Sequence, residues 1–384
     1  MPGGARDDSG RPKEDGASMT SITAGAEQRA EFKTLSIVSA VHLVSHFYWL
    51  VFVPLLPSLR DLLQVSFIEL GLAITVMNVV SAATQAPTGF LVDRFGARLL
   101  LALGVAVGSA GFLLVAFFPS YSMLLAAAVL IGLGNAVYHP ADYSILSAEM
   151  SRERMGRAYS IHSFMGYLGF AVAPPVVLAL LYLGGVQFAL GASGVLGLLV
   201  AAPLLPGVAR EQRGAKARKA AKPVQGVSAR QLITGKVVAL TAMFTVLNLS
   251  TGMLQTYMVV VMADLLKLPQ AVGNTALTVF LFALVAGILV GGLLADKVDR
   301  QSRVAAAGFG AAALLVAGVG FLAPGAVLAV SMLGAAGFLA GIIMPSRDLL
   351  VRQASPPEAV GRVFGIVTTG FNIGGMIGPV LGGA

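Results

Sequence analysis

From residue 34 to its end the chain is a succession of eleven apolar runs, separated by short polar segments. A bilayer core takes roughly 20 apolar residues as helix, and lipid admits spanning backbone only where its polar groups are internally satisfied. Spans are therefore expected at 34–57, 67–90, 98–118, 122–146, 157–183, 187–206, 236–262, 272–295, 303–322, 326–346 and 361–384. The fold class is an all-α membrane protein. Only 11% of residues are charged, against about 25% in soluble domains. The 46 glycines suit helices that approach closely in lipid.

The spans are duplicated. Gly89 to Arg98 read GFLVDRFGAR, and Gly89, Asp93 and Arg94 match Gly292, Asp296 and Lys297 at a shift of 203. Pro140, Gly156, Arg157, Gly169 and Pro174 match Pro345, Gly361, Arg362, Gly374 and Pro379 at a shift of 205. Internal repeats of this kind build secondary transporters. The expected organisation is a disordered N-terminal tail (1–33), a six-helix bundle (34–206), a basic cytoplasmic linker (207–235) and a second bundle (236–384) with five helices present. A doubled six-helix unit calls for a twelfth span, so the expectation is a truncated sequence or else a shortened protein, and Met19 offers an alternative start.

Charge sets the expected orientation. With the N-terminus inside, 24 of 26 Lys and Arg fall on the inner side, and only Arg60 and Lys267 lie outside. This is the positive-inside asymmetry. It places the N-terminus in the cytoplasm and, for a bacterial chain, the protein in the inner (plasma) membrane. The eight cations from Arg210 to Lys236 face anionic lipid, so the formal net charge of +8 does not indicate nucleic acid. There are no cysteines, hence no disulfide, thiolate metal site or cysteine nucleophile.

On these residues the chain resembles the major facilitator superfamily. Gly89, Leu91, Asp93, Arg94, Gly96 and Arg98 are similar to that superfamily's loop signature, and Gly292, Leu294, Asp296 and Lys297 form a decayed second copy with Asp299 in place of a glycine. HLVSH in the first span, GLGNAVYHPADYSIL in the fourth and GRAYSIHSFMGYLGFAVAPP in the fifth resemble the fosmidomycin-resistance group of drug exporters. The resemblance implies two pseudo-symmetric bundles and a conformational latch at Gly89, Asp93, Arg94, Gly96, Arg98, Asp296 and Lys297. Asp93 can face the positive N-terminal end of a neighbouring helix. The intact first copy is expected to matter more than the second.

All four histidines lie in spans of the first half. Ionisable groups at that depth are costly and mark function, and histidine carries protons near neutral pH. His46, His42, His139, Asp142 and His162 are the proton-coupling candidates. His46 lies nearest mid-depth, and Asp142 is expected to pair with an arginine at the inner end. Substrate-cavity candidates are Trp49, Asn78, Asn135 and Tyr138 in the first half, and Asn248, Gln255, Tyr257, Asn274 and Asn372 in the second. Arg347 and Asp348 read as an inner-surface network. Gly374, Gly378, Pro379, Gly382 and Gly383 resemble an antiporter motif, although that motif belongs on the fifth span, where Ala173 replaces a glycine.

The expected function is proton-coupled efflux of a small organic compound or drug by alternating access. The alternatives are proton-coupled uptake of an organic anion or nutrient, and a non-transporting membrane sensor. No nucleophile with an oxyanion hole is visible, so no enzyme activity is expected. The expected partners are a small-molecule substrate, protons and the lipid bilayer. No cofactor, metal or nucleic acid is expected, and the chain is expected to work as a monomer.

Overall fold

The computed structural model describes residues 15–209, 211, 228–264 and 266–382. Among them every regular element is helical. The first half holds α1 (Asp15–Leu50), α2 (Phe52–Leu63), α3 (Phe67–Phe95), α4 (Ala97–Phe117), α5 (Tyr121–Glu149) and α6 (Met155–Ala201). After a short α7 (Ala229–Leu232) come α8 (Gly235–Asp264), α9 (Gln270–Ala295), α10 (Gln301–Leu322), α11 (Ala326–Ala354) and α12 (Val360–Gly382).

Two details reconcile these helices with the eleven expected spans. α6 contains Gly185 at φ 77°, ψ −175°, a conformation that only glycine adopts without strain. It therefore comprises the fifth and sixth spans. The first span is shared between α1 and α2, which meet at Val51. Among the described residues nine helical stretches have the length and composition to cross a membrane.

The segment expected as a disordered tail is helical from Asp15 onward, and residues 1–14 lie outside the described residues. Helix is favoured at its end because α1 is tied to its own bundle. Glu31 accepts from Arg154 Nε at 2.7 Å and from Ser151 N at 3.1 Å. Thr34 donates to Glu149 at 2.7 Å. Most of the expected basic linker, Arg210 and residues 212–227, also lies outside the described residues.

Packing follows the duplication. Within the first half α1 lies on α6, α4 on α5, and α3 on α5; within the second α9 lies on α11, α8 on α12, and α10 on α11. The seam between halves is made by α3 against α12 and α6 against α9. The repeat carries α3 onto α9 and α6 onto α12, so these two contacts are copies of each other. Glycine permits both. A Cβ on Gly89 would sit 2.5 Å from the Gly361 carbonyl oxygen, and one on Gly292 would strike the Ser160 side chain. The end of the molecule where α3 meets α4 and α5 meets α6 is its linker side.

Candidate functional site

Two carboxylates bridge the seam on the linker side. Asp93, at the end of α3, accepts from the Gly361 and Arg362 backbone N–H groups, each at 3.2 Å, and from Arg362 Nε at 2.7 Å. Asp296, just past α9, accepts from Gly156 N at 2.7 Å, Arg157 N at 3.2 Å and Arg157 Nε at 2.7 Å. Each carboxylate crosses the seam to cap the first turn of a helix in the other half, where unpaired N–H groups and the helix dipole favour negative charge. The aspartate of the decayed second signature thus makes the same kind of cap across the seam as that of the first.

The cations of these clasps come from the opposite half. Arg157 and Arg362, visible in the sequence only as repeat markers, supply them. Arg98 instead binds Glu149 of α5 at 2.5 Å. Arg94 lies over the ring of its neighbour Phe95, and among the described residues Lys297 makes no ion pair. Gly96 turns the chain between α3 and α4 at φ 103°. Glu211 folds back there, accepting from Ala97 N at 3.1 Å and Arg98 N at 3.0 Å, a cap the sequence did not reveal.

Above the clasps a second layer joins the halves. Tyr143 donates to Asp348 Oδ2 at 2.7 Å and stacks on Phe364 at 4.1 Å. Gln85 donates to Thr368 at 2.6 Å, and Asn372 donates to Gln85 at 2.5 Å. Beyond this floor lies a cavity of about 670 Å³ on the seam, within the range of small-molecule sites. It extends away from the linker side to Thr75 and Val79, which are exposed.

Five of the expected site residues converge on one wall. His42, His46 and His139 line the cavity. Asp142 and His162 stand behind, both with 0% exposure. His42 Nδ1 is 3.2 Å and His162 Nε2 3.6 Å from Asp142 Oδ2. The His42 ring is 3.8 Å from that of His162 and 4.5 Å from that of His46. Small residues on α6 allow this density, because a Cβ on Gly166 would lie 2.7 Å from the His42 ring and 3.1 Å from His46 Cε1. A carboxylate between two imidazoles can hold a shared proton. Ligand atoms of His42, Asp142 and His162 lie within 4.8 Å of one another, a donor set that also suits a metal ion.

The expected arginine partner for Asp142 is absent from the described residues. α5 turns this residue into its bundle, toward α1 and α6, rather than to the inner surface. Arg347 and Asp348 are likewise not a surface network. They are 5% and 0% exposed, and Arg347 lines the cavity. That removes one cation from the inner-side tally.

Of the expected substrate-cavity residues, Trp49, Asn78, Asn135, Asn248 and Asn372 line this cavity. Tyr138 does not; it is buried beside Gly108 of α4, because one residue along a helix turns about a quarter of the circumference away from His139. The side chains of Gln255, Tyr257 and Asn274 lie outside the described residues. The glycine string repeats a packing role across halves. A Cβ on Gly374 would meet Leu249 N at 2.8 Å, and one on Gly169 would meet His46 Cβ at 3.1 Å.

The sequence profile of the Major Facilitator Superfamily matches residues 38–379. The chain belongs to the major facilitator superfamily. Its relatives include the fosmidomycin resistance protein of Escherichia coli (strain K12), 24% identical over 363 residues, which are 92% of this chain and 86% of that protein. The multidrug resistance protein MdtH of Aeromonas hydrophila is 24% identical over 320 residues, 82% of this chain and 77% of its own length. Among solved structures, the proton:xylose symporter XylE bound to 6-bromo-6-deoxy-D-glucose superposes with TM-score 0.71 at 14% identity, covering 91% of this chain and 88% of that one. FucP in the outward conformation gives TM-score 0.63 at 15% identity, covering 91% of each. The two structures share the fold. This superfamily member is a multi-pass integral membrane protein of transporter type.

Proposed function

We propose that the chain exports a small organic compound in exchange for protons by alternating access, from the cytoplasm across a bacterial inner membrane. The observation that carries this reading is the cavity on the seam, with three histidines on its wall and a buried carboxylate behind them. Asp93 and Asp296 act as latches, so the arrangement here is the one closed to the linker side and open to the far side. The linker side is cytoplasmic, in keeping with the basic residues gathered there. Drug-resistance relatives support export rather than uptake.

Proton binding alternates with cargo binding in this scheme. His46 and His139 face the cavity and exchange protons with it; His42, Asp142 and His162 receive them behind the wall. The test is pH-driven flux in inverted membrane vesicles. His46→Gln keeps most of the size and polarity but removes the titration, and it is expected to abolish pH-driven export at unchanged protein abundance. His139→Gln is expected to weaken it. Normal flux from pH 5.5 to 8 in both variants and in the double variant would make the histidines structural. Dependence on added divalent metal in place of the pH gradient would transfer the cluster to a metal.

A further inference from the structure

Arg347 is a permanent cation at membrane depth, and no part of the proton scheme uses it. Burying such a group is expensive unless it is paired and serves a site. Its pairing is one-sided. Arg347 Nε donates to Asp348 Oδ1 at 2.9 Å, and Nη2 lies 2.8 Å from the same oxygen. The other carboxylate oxygen is taken by the Tyr143 hydroxyl at 2.7 Å. Asp348 is therefore saturated on its own side. The guanidinium lies over Phe244 at 4.5 Å and Phe371 at 5.0 Å, so its plane is held. Nη1, at the opposite edge of the fork, has no partner among the described residues.

The cavity wall decides what that edge can meet. Among the described residues that line it, Arg347 is the one permanent charge, and no aspartate or glutamate is present. An organic cation would find no carboxylate there. An oxyanion would find a fixed guanidinium edge, a geometry suited to carboxylate-type oxygens. Trp49, Phe170 and Phe371 also line the space, giving an apolar body something to pack against.

We propose that Arg347 sets cargo specificity, and that the cargo is an organic anion whose oxyanion group docks on the free edge of the Arg347 guanidinium. This rests on the reading of the seam cavity as the transport site. It assigns a charge class to the cargo and leaves direction aside.

The chain supplies its own reporter, because Trp49 is its single tryptophan and lines the cavity. The full chain in lipid nanodiscs is titrated with three probes of matched size: 4-phenylbutyrate, 4-phenylbutanamide and 4-phenylbutylamine. The carboxylate is expected to change Trp49 fluorescence saturably, with the amide and the amine at least about tenfold weaker, as suits a charge-assisted bond. Arg347→Gln should erase the preference, and Arg347→Lys should keep part of it. Arg347→Gln alone leaves Asp348 buried without its cation, so the pair Arg347→Gln/Asp348→Asn carries the test if the single variant does not fold. Equal binding of the amide or amine by the unaltered chain would overturn the assignment. So would a retained carboxylate preference in the double variant, or no saturable response to the carboxylate at millimolar concentration. Export of an organic cation driven by a pH gradient would sink this assignment while leaving the proposed function standing.

Discussion

Replacing Asp93 or Asp296 by asparagine keeps the shape of each clasp and removes its charge. Each carboxylate collects two backbone N–H groups and one arginine across the seam. A hydrogen bond to a charged group contributes about 1.5–3 kcal/mol, and an anion at a helix N-terminus about 0.3–2 kcal/mol. The asparagine oxygen keeps part of this, so a loss of roughly 2–3 kcal/mol per clasp is reasonable. At about 1.4 kcal/mol per tenfold, closure on the linker side weakens by roughly thirty- to hundredfold. Arg157 is 52% exposed against 12% for Arg362, so solvent screens the Asp296 pair more, and that variant belongs at the low end. The chain has no cysteine, which makes introduced pairs unambiguous. Phe95→Cys with Glu358→Cys reports on the Asp93 side, and Glu153→Cys with Asp299→Cys on the other. Cross-linking by a short bifunctional maleimide should fall for both aspartate variants, with transport impaired in both and the two effects within about tenfold of each other. Unchanged cross-linking in both would remove the latch; loss in Asp93→Asn alone would show that the decayed signature had lost its function after all.

Three further outcomes follow from the packing. Gly166→Leu places a side chain where the His42 and His46 rings already stand within 2.7–3.1 Å of a Cβ, and it should abolish pH-driven flux, whereas Gly71→Ala, with nothing within 4 Å of its Cβ, should leave flux unchanged. Tyr143→Phe removes the bond to Asp348 but keeps the stack on Phe364; it should weaken linker-side cross-linking by roughly tenfold, the worth of about one such bond, and an unaltered yield would place that bond outside the closure. Gly292→Val should open the α6–α9 contact, since even a Cβ there strikes Ser160, and unaltered transport by that variant would exclude close approach as the glycine's role.

What the sequence made legible was set by period and repetition. Apolar runs marked the spans, because lipid leaves the helix little alternative. The repeat at shifts of 203 and 205 marked a duplicated unit. His42 and His46 stand four residues apart on α1, about one helical turn, and both line the cavity. Partners across the seam were not legible, since nothing local ties Asp93 to Arg362, 269 positions away. Depth was misjudged for Asp142, Arg347 and Asp348, because charged residues near a span's end resemble surface residues until the helix is seen to continue past them to Glu149 and Ala354. The helical start at Asp15 was missed because its polar composition carries no apolar period. Its anchors, Arg154 and Glu149, lie more than a hundred residues away.

The repeat also bears on why cation and carboxylate stand where they do. Pro140 aligns with Pro345 at a shift of 205, so Asp142 aligns with Arg347 and Tyr143 with Asp348. Tyr143 and Asp348 touch at 2.7 Å. Two residues related by a pseudo-two-fold can be in contact only near its axis, so the axis passes through this bond, at the floor of the cavity. Asp142 and Arg347, equivalent in the repeat and opposite in charge, then flank the axis. The first copy turned inward among histidines; the second faces the cavity between two phenylalanines. On the proposed reading, proton and anionic cargo would occupy equivalent places in the two halves, on either side of the Tyr143–Asp348 bond. Rocking one half against the other must strain that bond. A double-mutant cycle on Asp142→Asn and Tyr143→Phe, read out as linker-side cross-linking, should therefore show coupling of about 1 kcal/mol or more, and additive effects would mean that the proton site and the seam are independent.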